Sequence, residues 1–189
     1  MNGIVIFFIV IGLVVLICIG WVVGVYNKLV NTRQHVKDAW SGVDVELKRR
    51  YDLIPNLVET VKGYASHESQ TLENVIAARN QAAGNQGSVA SQAQDENALV
   101  GAMRQLAVVV EQYPDLKADT QFMNLQGELA ETENRLASAR RLYNGNVREL
   151  NTTIETFPNL IIAGTMNFEK AEYFEIEDET IREAPKVSF

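Results

Sequence analysis

The first 27 residues of this 189-residue chain contain no Asp, Glu, Lys, Arg or His, and Lys28 is the first charged side chain. A helix through residues 3–25 would be about 35 Å long, which is enough to cross a hydrocarbon core of about 30 Å. Such a helix satisfies its own backbone in lipid, whereas uncharged helices of this length are rare in soluble proteins. The sequence therefore predicts a short outer N-terminus and a transmembrane helix over residues 1–27.

The apolar stretch also lacks the features of a cleaved export signal. No basic residue precedes it and no small-residue cleavage site follows it. Cys18 comes directly after Ile17, whereas lipoprotein processing requires Gly, Ala or Ser at that position. We therefore expect the segment to remain as an anchor. The single cysteine also leaves no intramolecular disulfide available to the chain.

Histidine is scarce, and neither of the two histidines has a partner at a catalytic or metal-binding spacing. His67-Glu68 begins like a zinc-protease motif, but the position of the second histidine is Thr71. A di-iron bundle needs a carboxylate three residues before a histidine, and neither His35 nor His67 has one. The chain also has no glycine-rich phosphate loop. We therefore expect a protein that is not an enzyme and binds no cofactor or metal.

The sequence has no excess of basic residues, since its formal net charge is −7. A nucleic-acid-binding protein would normally present a basic face, so nucleic acid is not an expected partner. The short basic run Lys48–Arg50 lies among acidic residues and is interpreted as a solvated helix face. Contact of this run with anionic lipid is the alternative.

Basic residues follow the apolar segment and predict its orientation. Lys28, Arg33 and Lys37 lie just after the span, and Trp21 and Tyr26 lie near the same end, as in an interfacial aromatic belt. Positively charged flanks stay on the cytoplasmic side of a membrane. We therefore expect a single-pass protein in contact with membrane lipid, with its N-terminus outside and its C-terminal domain in the cytoplasm.

Proline and glycine are sparse after the anchor, and the periodicity of the apolar residues is helical. One apolar stripe continues from the anchor to Ala65, and Pro55 predicts a kink or a restart near residues 53–55 because it lacks a backbone donor. Further helices are expected over about 69–83, 93–112 and 119–157, separated by a loop at residues 84–87 and a stop at residues 113–115.

The last of these helices carries a nearly heptad apolar seam. Its members are Phe122, Leu125, Leu129, Thr132, Leu136, Ala139, Tyr143, Val147, Leu150, Ile154 and Phe157. A helix of this length, about 58 Å, needs equally long partners. The predicted fold is therefore all-α, with an N-terminal transmembrane helix followed by an elongated antiparallel bundle of long helices over residues 28–165. The asparagines at 144, 146 and 151 are either tolerated surface positions or sites of interhelical hydrogen bonds.

Residues 166–189 form the third predicted segment, a short acidic-aromatic tail. In it aromatic side chains alternate with carboxylates, and Tyr173, Phe174 and Glu175 are candidate residues for an interaction with a partner. The preceding apolar run, residues 160–163, is too short to span a membrane and is expected to pack on the bundle.

Three stretches of this sequence resemble the LemA family. They are the run from Tyr26 to Arg79, the run from Tyr113 to Asn151, and FPNLIIA at 157–163 together with YFE at 173–175. The resemblance implies a bacterial inner- or plasma-membrane protein with one N-terminal span, N-terminus out, and a long-helix cytoplasmic domain. It implies no known activity and no catalytic residues.

Two functions are open at this stage. Gly12, Gly20 and Gly24 lie at multiples of four in the anchor, a pattern that lets transmembrane helices approach closely. Together with the long seam it favours a membrane scaffold that self-associates as a homo-oligomer, either a ring or a larger assembly. The alternative is an adaptor or regulator that binds another membrane protein or a cytoplasmic helix through the acidic-aromatic tail.

Overall fold

A computed structural model of the chain describes residues 2–176, and this part of the protein is all-α, as predicted. Six helices follow one another in it. They are α1 (Asn2–Tyr64), α2 (Ser69–Gly84), α3 (Val89–Val110), α4 (Pro114–Lys117), α5 (Thr120–Glu155) and α6 (Asn159–Thr165). The residues after the end of α6 run on to 176 without regular secondary structure.

The predicted helix boundaries agree with the structure to within a few residues, with instructive exceptions. Helix α3 starts four residues earlier than expected because Ser88 caps it, its side chain accepting a hydrogen bond from the amide of Ser91 at 3.2 Å. Pro114 ends α3 as predicted, but it also opens the short helix α4, in which a proline suits the first turn.

Pro55 lies inside α1, so the predicted restart of the helix near residues 53–55 is wrong. A proline in a helix leaves the carbonyl four residues earlier without its amide donor. That carbonyl belongs to Tyr51, and it accepts a hydrogen bond from Nε of Arg79 on α2 at 2.9 Å. A side chain from another helix therefore replaces the bond that the proline removes, and α1 continues to Tyr64.

The described residues form two compact units. Residues 2–40 and 142–171 form one, here called the terminal unit, and residues 41–141 and 172–176 belong to the other, the central unit. The predicted boundaries at residues 27 and 165 mark where the chain leaves the membrane and where the tail begins, and they stay predictions.

The central unit has an apolar core built from α1, α2, α3, α4 and the start of α5. It contains Ile54, Leu57, Val58, Val61, Ala65, Leu72, Val75, Ala82, Leu99, Leu106, Val109, Val110, Leu116 and Phe122. The members on each long helix are mostly three or four residues apart, so each helix buries one stripe. Within this unit α1 and α5 are antiparallel, since Arg50 contacts Glu133 and Tyr64 contacts Asp119.

The terminal unit is likewise an antiparallel pairing of α1 with α5. The Trp40 and Tyr143 rings meet edge to face with centroids 5.1 Å apart, and Nδ2 of Asn146 donates to the carbonyl of His35 at 3.3 Å. Leu29 and Val147 are fully buried in this unit. The predicted seam is therefore buried or half-buried from Phe122 to Ile154.

Asn151 holds the chain that returns after α6. Its side-chain nitrogen donates to the carbonyl of Ala171 at 3.0 Å, and its side-chain oxygen accepts from the amide of Ala171 at 2.9 Å. Asn146 also reaches across to α1, as described above. These two asparagines are therefore sites of hydrogen bonds between segments of the same chain, and not merely tolerated surface positions.

The final apolar positions of the sequence prediction differ from the structure. Phe157 was expected to end the seam, but α5 ends at Glu155 and the Phe157 side chain is exposed. Residues 160–163 form part of α6, where Ala163 is buried as expected while Leu160 and Ile161 are exposed. The prediction that this run packs on the bundle is therefore right for Ala163 and wrong for Leu160 and Ile161.

The bond between Arg79 and Tyr51 yields a test of how α1 tolerates Pro55. Replacing Arg79 by Met should lower the free energy of unfolding by about 1.5 kcal/mol, because it leaves a carbonyl unpaired that had a charged donor. In a Pro55→Ala background the restored amide can serve Tyr51, so the same replacement should cost less. Urea unfolding in mild detergent measures both, and Arg49→Met, at an exposed arginine, is the matched control. Equal costs in the two backgrounds would refute this role of Arg79.

Asp119 caps the first turn of α5 in the central unit. Its Oδ1 accepts from the amide of Phe122 at 2.8 Å, and its Oδ2 accepts from the Tyr64 hydroxyl at 2.9 Å. The amide of Phe122, and after it the Tyr64 hydroxyl, hold the pKa of Asp119 below its usual value of 3.8. The same contact with Asp119 raises the pKa of Tyr64.

A lowered carboxyl pKa has a defined consequence for stability. The contribution of Asp119 should be fully present above its unfolded pKa and should be lost as the pH falls through its lower folded pKa, that is, below about pH 4. Replacing Asp119 by Asn keeps a capping oxygen but removes the titration. The difference in unfolding free energy between wild type and Asp119→Asn should therefore shrink on acidification. A difference that stays constant from pH 6 to pH 3 would contradict this assignment.

Candidate membrane helix and buried ionic cluster

The first part of α1 is long and apolar enough to cross a membrane, with a mean hydropathy of 3.2 over its most apolar 18-residue window. None of that window is buried against the other residues that the structure describes. The exposed large apolar side chains between Ile4 and Tyr26 have between 41% and 70% of their surface accessible. Helices with apolar residues all round are stable in lipid or in a protein core, and this segment is not in a core.

The three glycines predicted to mediate self-association lie on this exposed part of α1. A methyl group added at Gly12, Gly20 or Gly24 would meet no atom within 4 Å. The surface around these glycines is therefore open within the chain, and the backbone there is accessible to another helix. Nothing in the described chain occupies the predicted contact.

The residues predicted to flank the membrane lie where the buried face of α1 begins. Trp21 and Tyr26 are exposed, while Val25 and Leu29 between and after them are buried. The Tyr26 ring packs edge to face on the Phe168 ring, with centroids 5.9 Å apart.

The predicted basic flank follows directly. Lys28, Arg33 and Lys37 are all exposed on α1. The Arg33 guanidinium lies over the Phe168 ring, 5.0 Å from its centroid, in a cation–π contact. Tyr26 and Arg33 are therefore joined through Phe168, a contact that sequence periodicity did not predict.

The predicted interaction tail is only partly available to a partner. Tyr173 and Glu175 are exposed, but Phe174 is fully buried. Just before them, Oε2 of Glu172 accepts a hydrogen bond from the amide of Ala90 at 3.1 Å, in the first turn of α3, where a negative charge is favoured. Phe174 therefore contributes to the interior of the central unit. The acidic residues from 177 onwards lie outside the described residues.

An ionic cluster lies inside the central unit, where the sequence predicted only a solvated face. Arg50 is 3% exposed and forms an ion pair with Glu96 of α3, which is 1% exposed. A second nitrogen of Arg50 donates to Glu133 of α5 at 2.9 Å, and the Tyr51 hydroxyl donates to the other oxygen of Glu96. The solvated-face prediction holds for Lys48 and Arg49 and is wrong for Arg50.

The apolar stripe itself contained the signal for this cluster. Arg50 follows Leu47 by three residues and precedes Ile54 by four, so it occupies a stripe position of α1. Glu96 likewise lies three residues from both Ala93 and Leu99 on the buried face of α3. Charged residues at two stripe positions, one of each sign, predict a buried pair. Burial beside this pair raises the pKa of Tyr51.

The described residues contain no group of three or more His, Cys, Asp or Glu side chains placed to hold a metal ion. Cys18 is exposed on the apolar part of α1. The arrangement of charged groups in the central unit joins three helices, and its chemistry is that of ion pairing and hydrogen bonding. The absence of an enzymatic activity stays a prediction.

Residues 39–189 match the sequence profile of the LemA family. This chain belongs to the LemA family. The match includes the ionic cluster, all of α5 and all of α6, and it begins after the apolar part of α1. The family assignment predicted from the sequence motifs is thus confirmed.

Individual relatives of this LemA-family chain are distant. It is 26% identical over 175 residues to magnetosome protein MamQ 2 of Paramagnetospirillum magneticum and 25% identical over 174 residues to magnetosome protein MamQ of Magnetospirillum gryphiswaldense. Each alignment covers 79% of this chain but 64% of the relative. Protein LemA of Metamycoplasma hominis is 23% identical over 156 residues, covering 82% of this chain and 71% of the relative.

The ionic cluster yields a stability prediction for the central unit. Arg50→Met should lower the free energy of unfolding by about 3–5 kcal/mol, because it leaves the buried Glu96 carboxylate unpaired. The double variant Arg50→Met/Glu96→Leu should recover most of that loss, since it removes both charges from the interior. Arg49→Met is the matched exposed control and should change stability by less than about 0.5 kcal/mol. If the double variant is no more stable than the single one, the pairing with Glu96 does not explain the loss.

Proposed function

We propose that this LemA-family protein is a membrane-anchored, non-enzymatic helical scaffold that self-associates in a bacterial inner or plasma membrane. The exposed apolar part of α1 is the observation that carries the proposal. The other described residues bury none of its most apolar 18-residue window, and a lipid bilayer would cover that surface. The remaining helices then serve as the domain that the anchor holds at the membrane.

The proposed topology places the N-terminus outside and the larger part of the chain in the cytoplasm. Lys28, Arg33 and Lys37 support it, because all three are exposed on the turns that follow the span. Trp21 and Tyr26 are exposed beside them and suit the same membrane interface.

Self-association is proposed to occur through the glycine-bearing face of α1. The positions Gly20 and Gly24 give the spacing that allows two transmembrane backbones to approach closely, and the space beside both is open. One anchor per subunit also permits cyclic symmetry about the membrane normal, so a ring is the simplest closed assembly, with a larger array as its extension.

Bulky residues on this face test the proposal directly. The full-length double variant Gly20→Ile/Gly24→Ile should shift the protein from oligomer to monomer in mild detergent, because the added side chains separate the helices. Val15→Phe is the matched control: Val15 is an exposed residue of the same helix, and it lies about 140° around the helix from Gly20 and about 180° from Gly24. Light scattering coupled to size exclusion gives the mass, and cross-linking in native membranes repeats the comparison.

A wild-type protein that is already monomeric under both conditions would rule out the scaffold. The adaptor function then becomes the stronger candidate, with the exposed Tyr173 and Glu175 as its first contact residues. An oligomer that persists in the Gly20→Ile/Gly24→Ile variant would instead leave self-association standing but move it away from the glycine face.

A further inference from the structure

A second uncharged segment occurs far along the chain, at residues 157–168. It contains no Asp, Glu, Lys, Arg or His, and it includes all of α6. Four of its large apolar side chains point to the outside: Phe157 is 77% exposed, Leu160 52%, Ile161 59% and Met166 49%. Four exposed apolar side chains within ten residues form a patch, here called the α6 patch, which needs an explanation in a protein with a built core.

The position of the α6 patch in the terminal unit is fixed by the pairing of α1 with α5. His35 is opposite Asn146 and Trp40 is opposite Tyr143. In this antiparallel register, moving toward the start of α1 corresponds to moving toward the end of α5. Continued at 1.5 Å per residue on each helix, this register brings the end of α5 to about the level of Lys28. The turn at residues 156–158 therefore lies level with the end of the span.

Contacts on the far side of α6 give the same position independently. Phe168 packs on Tyr26 and lies under Arg33, both at the end of the span. Beyond it, Lys170 pairs with Glu155 and Ala171 is held by Asn151, so the chain then runs back along α5. Among the residues from α5 to Ala171, residues 156–167 thus lie nearest to the apolar part of α1.

We infer that the α6 patch is a second membrane contact, which lies in the interface of the same bilayer that α1 crosses. The inference rests on the proposed anchoring of α1. Phe157, Leu160 and Ile161 enter the boundary between headgroups and acyl chains, while Arg33 and Lys170 at the rim face lipid phosphates. The protein then contacts the bilayer at two places, through the apolar part of α1 and through the α6 patch beside it.

Lipid explains the patch better than water or protein does. The patch lies at the level where Tyr26 and Val25 change from lipid-facing to packed surroundings, so its apolar side chains continue an apolar surface that is already present. It also has no charged residue that would have to be dehydrated. A second copy of the chain, which could cover the same side chains, is one outcome of the test.

Because Cys18 is the single cysteine of the sequence, a spin label can be attached at one chosen position at a time. In the full chain, Cys18 is labelled as it stands and reports on the span. Cys18→Ala then serves as the background for a cysteine at Ile161 or Leu160 and for a control cysteine at Leu142, an exposed apolar position of α5 in the same unit. Each protein is reconstituted in vesicles of phosphatidylethanolamine and phosphatidylglycerol, and collision rates with oxygen and with a water-soluble nickel complex are measured.

The expected result is a gain in oxygen collisions and a loss of nickel collisions at 160 and 161, relative to 142. Leu142 is about 18 Å along α5 from Ile154 and should remain in water. Nickel-accessible labels at 160 and 161 with an oxygen-rich label at 18 would overturn the inference and leave the anchor intact. A nickel-accessible label at 18 would overturn the anchor itself. Spin–spin broadening at 160 or 161 that disappears on dilution with unlabelled protein would assign the patch to a second copy.

Discussion

The continuity of α1 is the constraint on which the other features depend. Within the central unit, α1 carries an apolar stripe on both sides of Pro55, so the faces of its residues there are set by a single helical phase. A break at Pro55 would release that phase. The carbonyl of Tyr51 is therefore a sensitive point of the fold, and Arg79 of α2 provides the donor that it needs.

The ionic cluster of Arg50, Glu96 and Glu133 contributes more to the register of the helices than to the stability of the fold. Nε of Arg50 is buried without a hydrogen-bond partner among the described residues, so the pairing does not compensate fully for dehydration. An apolar stripe can slide by one turn and still bury its side chains, whereas an ion pair matches in one register only. The cluster thus fixes how α1, α3 and α5 align in the central unit, a role comparable to that of a polar residue in a coiled coil.

Periodicity predicted most of the helical fold, because each long helix buries one stripe. The seam of α5 is an example: its positions from Phe122 to Ile154 are buried or half-buried as the spacing indicates. The method failed where a single residue overrides the pattern. Ser88 begins α3 early by capping it, and Arg79 rescues the helix at Pro55 from a distance of more than twenty residues in sequence. The serine cap is a local signal that the apolar periodicity does not register, whereas the contact of Arg79 with Tyr51 has no local signature.

The candidate site was less predictable for a similar reason. The uncharged run and its aromatic and basic flank are read directly from composition, and the structure leaves them exposed. Phe168 was not predicted, because its partners Tyr26 and Arg33 lie more than a hundred residues earlier. Phe174 was a candidate for contact with a partner in a segment where aromatic residues alternate with carboxylates, yet it is buried. Alternation identifies an extended segment, but it does not say which side faces the protein.

The two bonds between Asn151 and Ala171 give α5 a local feature of a strand. A carboxamide offers one donor and one acceptor in the same plane, as a peptide group does, so this side chain matches the backbone of an extended residue on both its groups. Aspartate lacks the donor, leucine lacks both groups, and glutamine carries its amide one carbon further out. Few side chains can therefore replace Asn151, although it is only half-buried. Its two hydrogen bonds hold the chain that follows α6 against α5, the helix that precedes it.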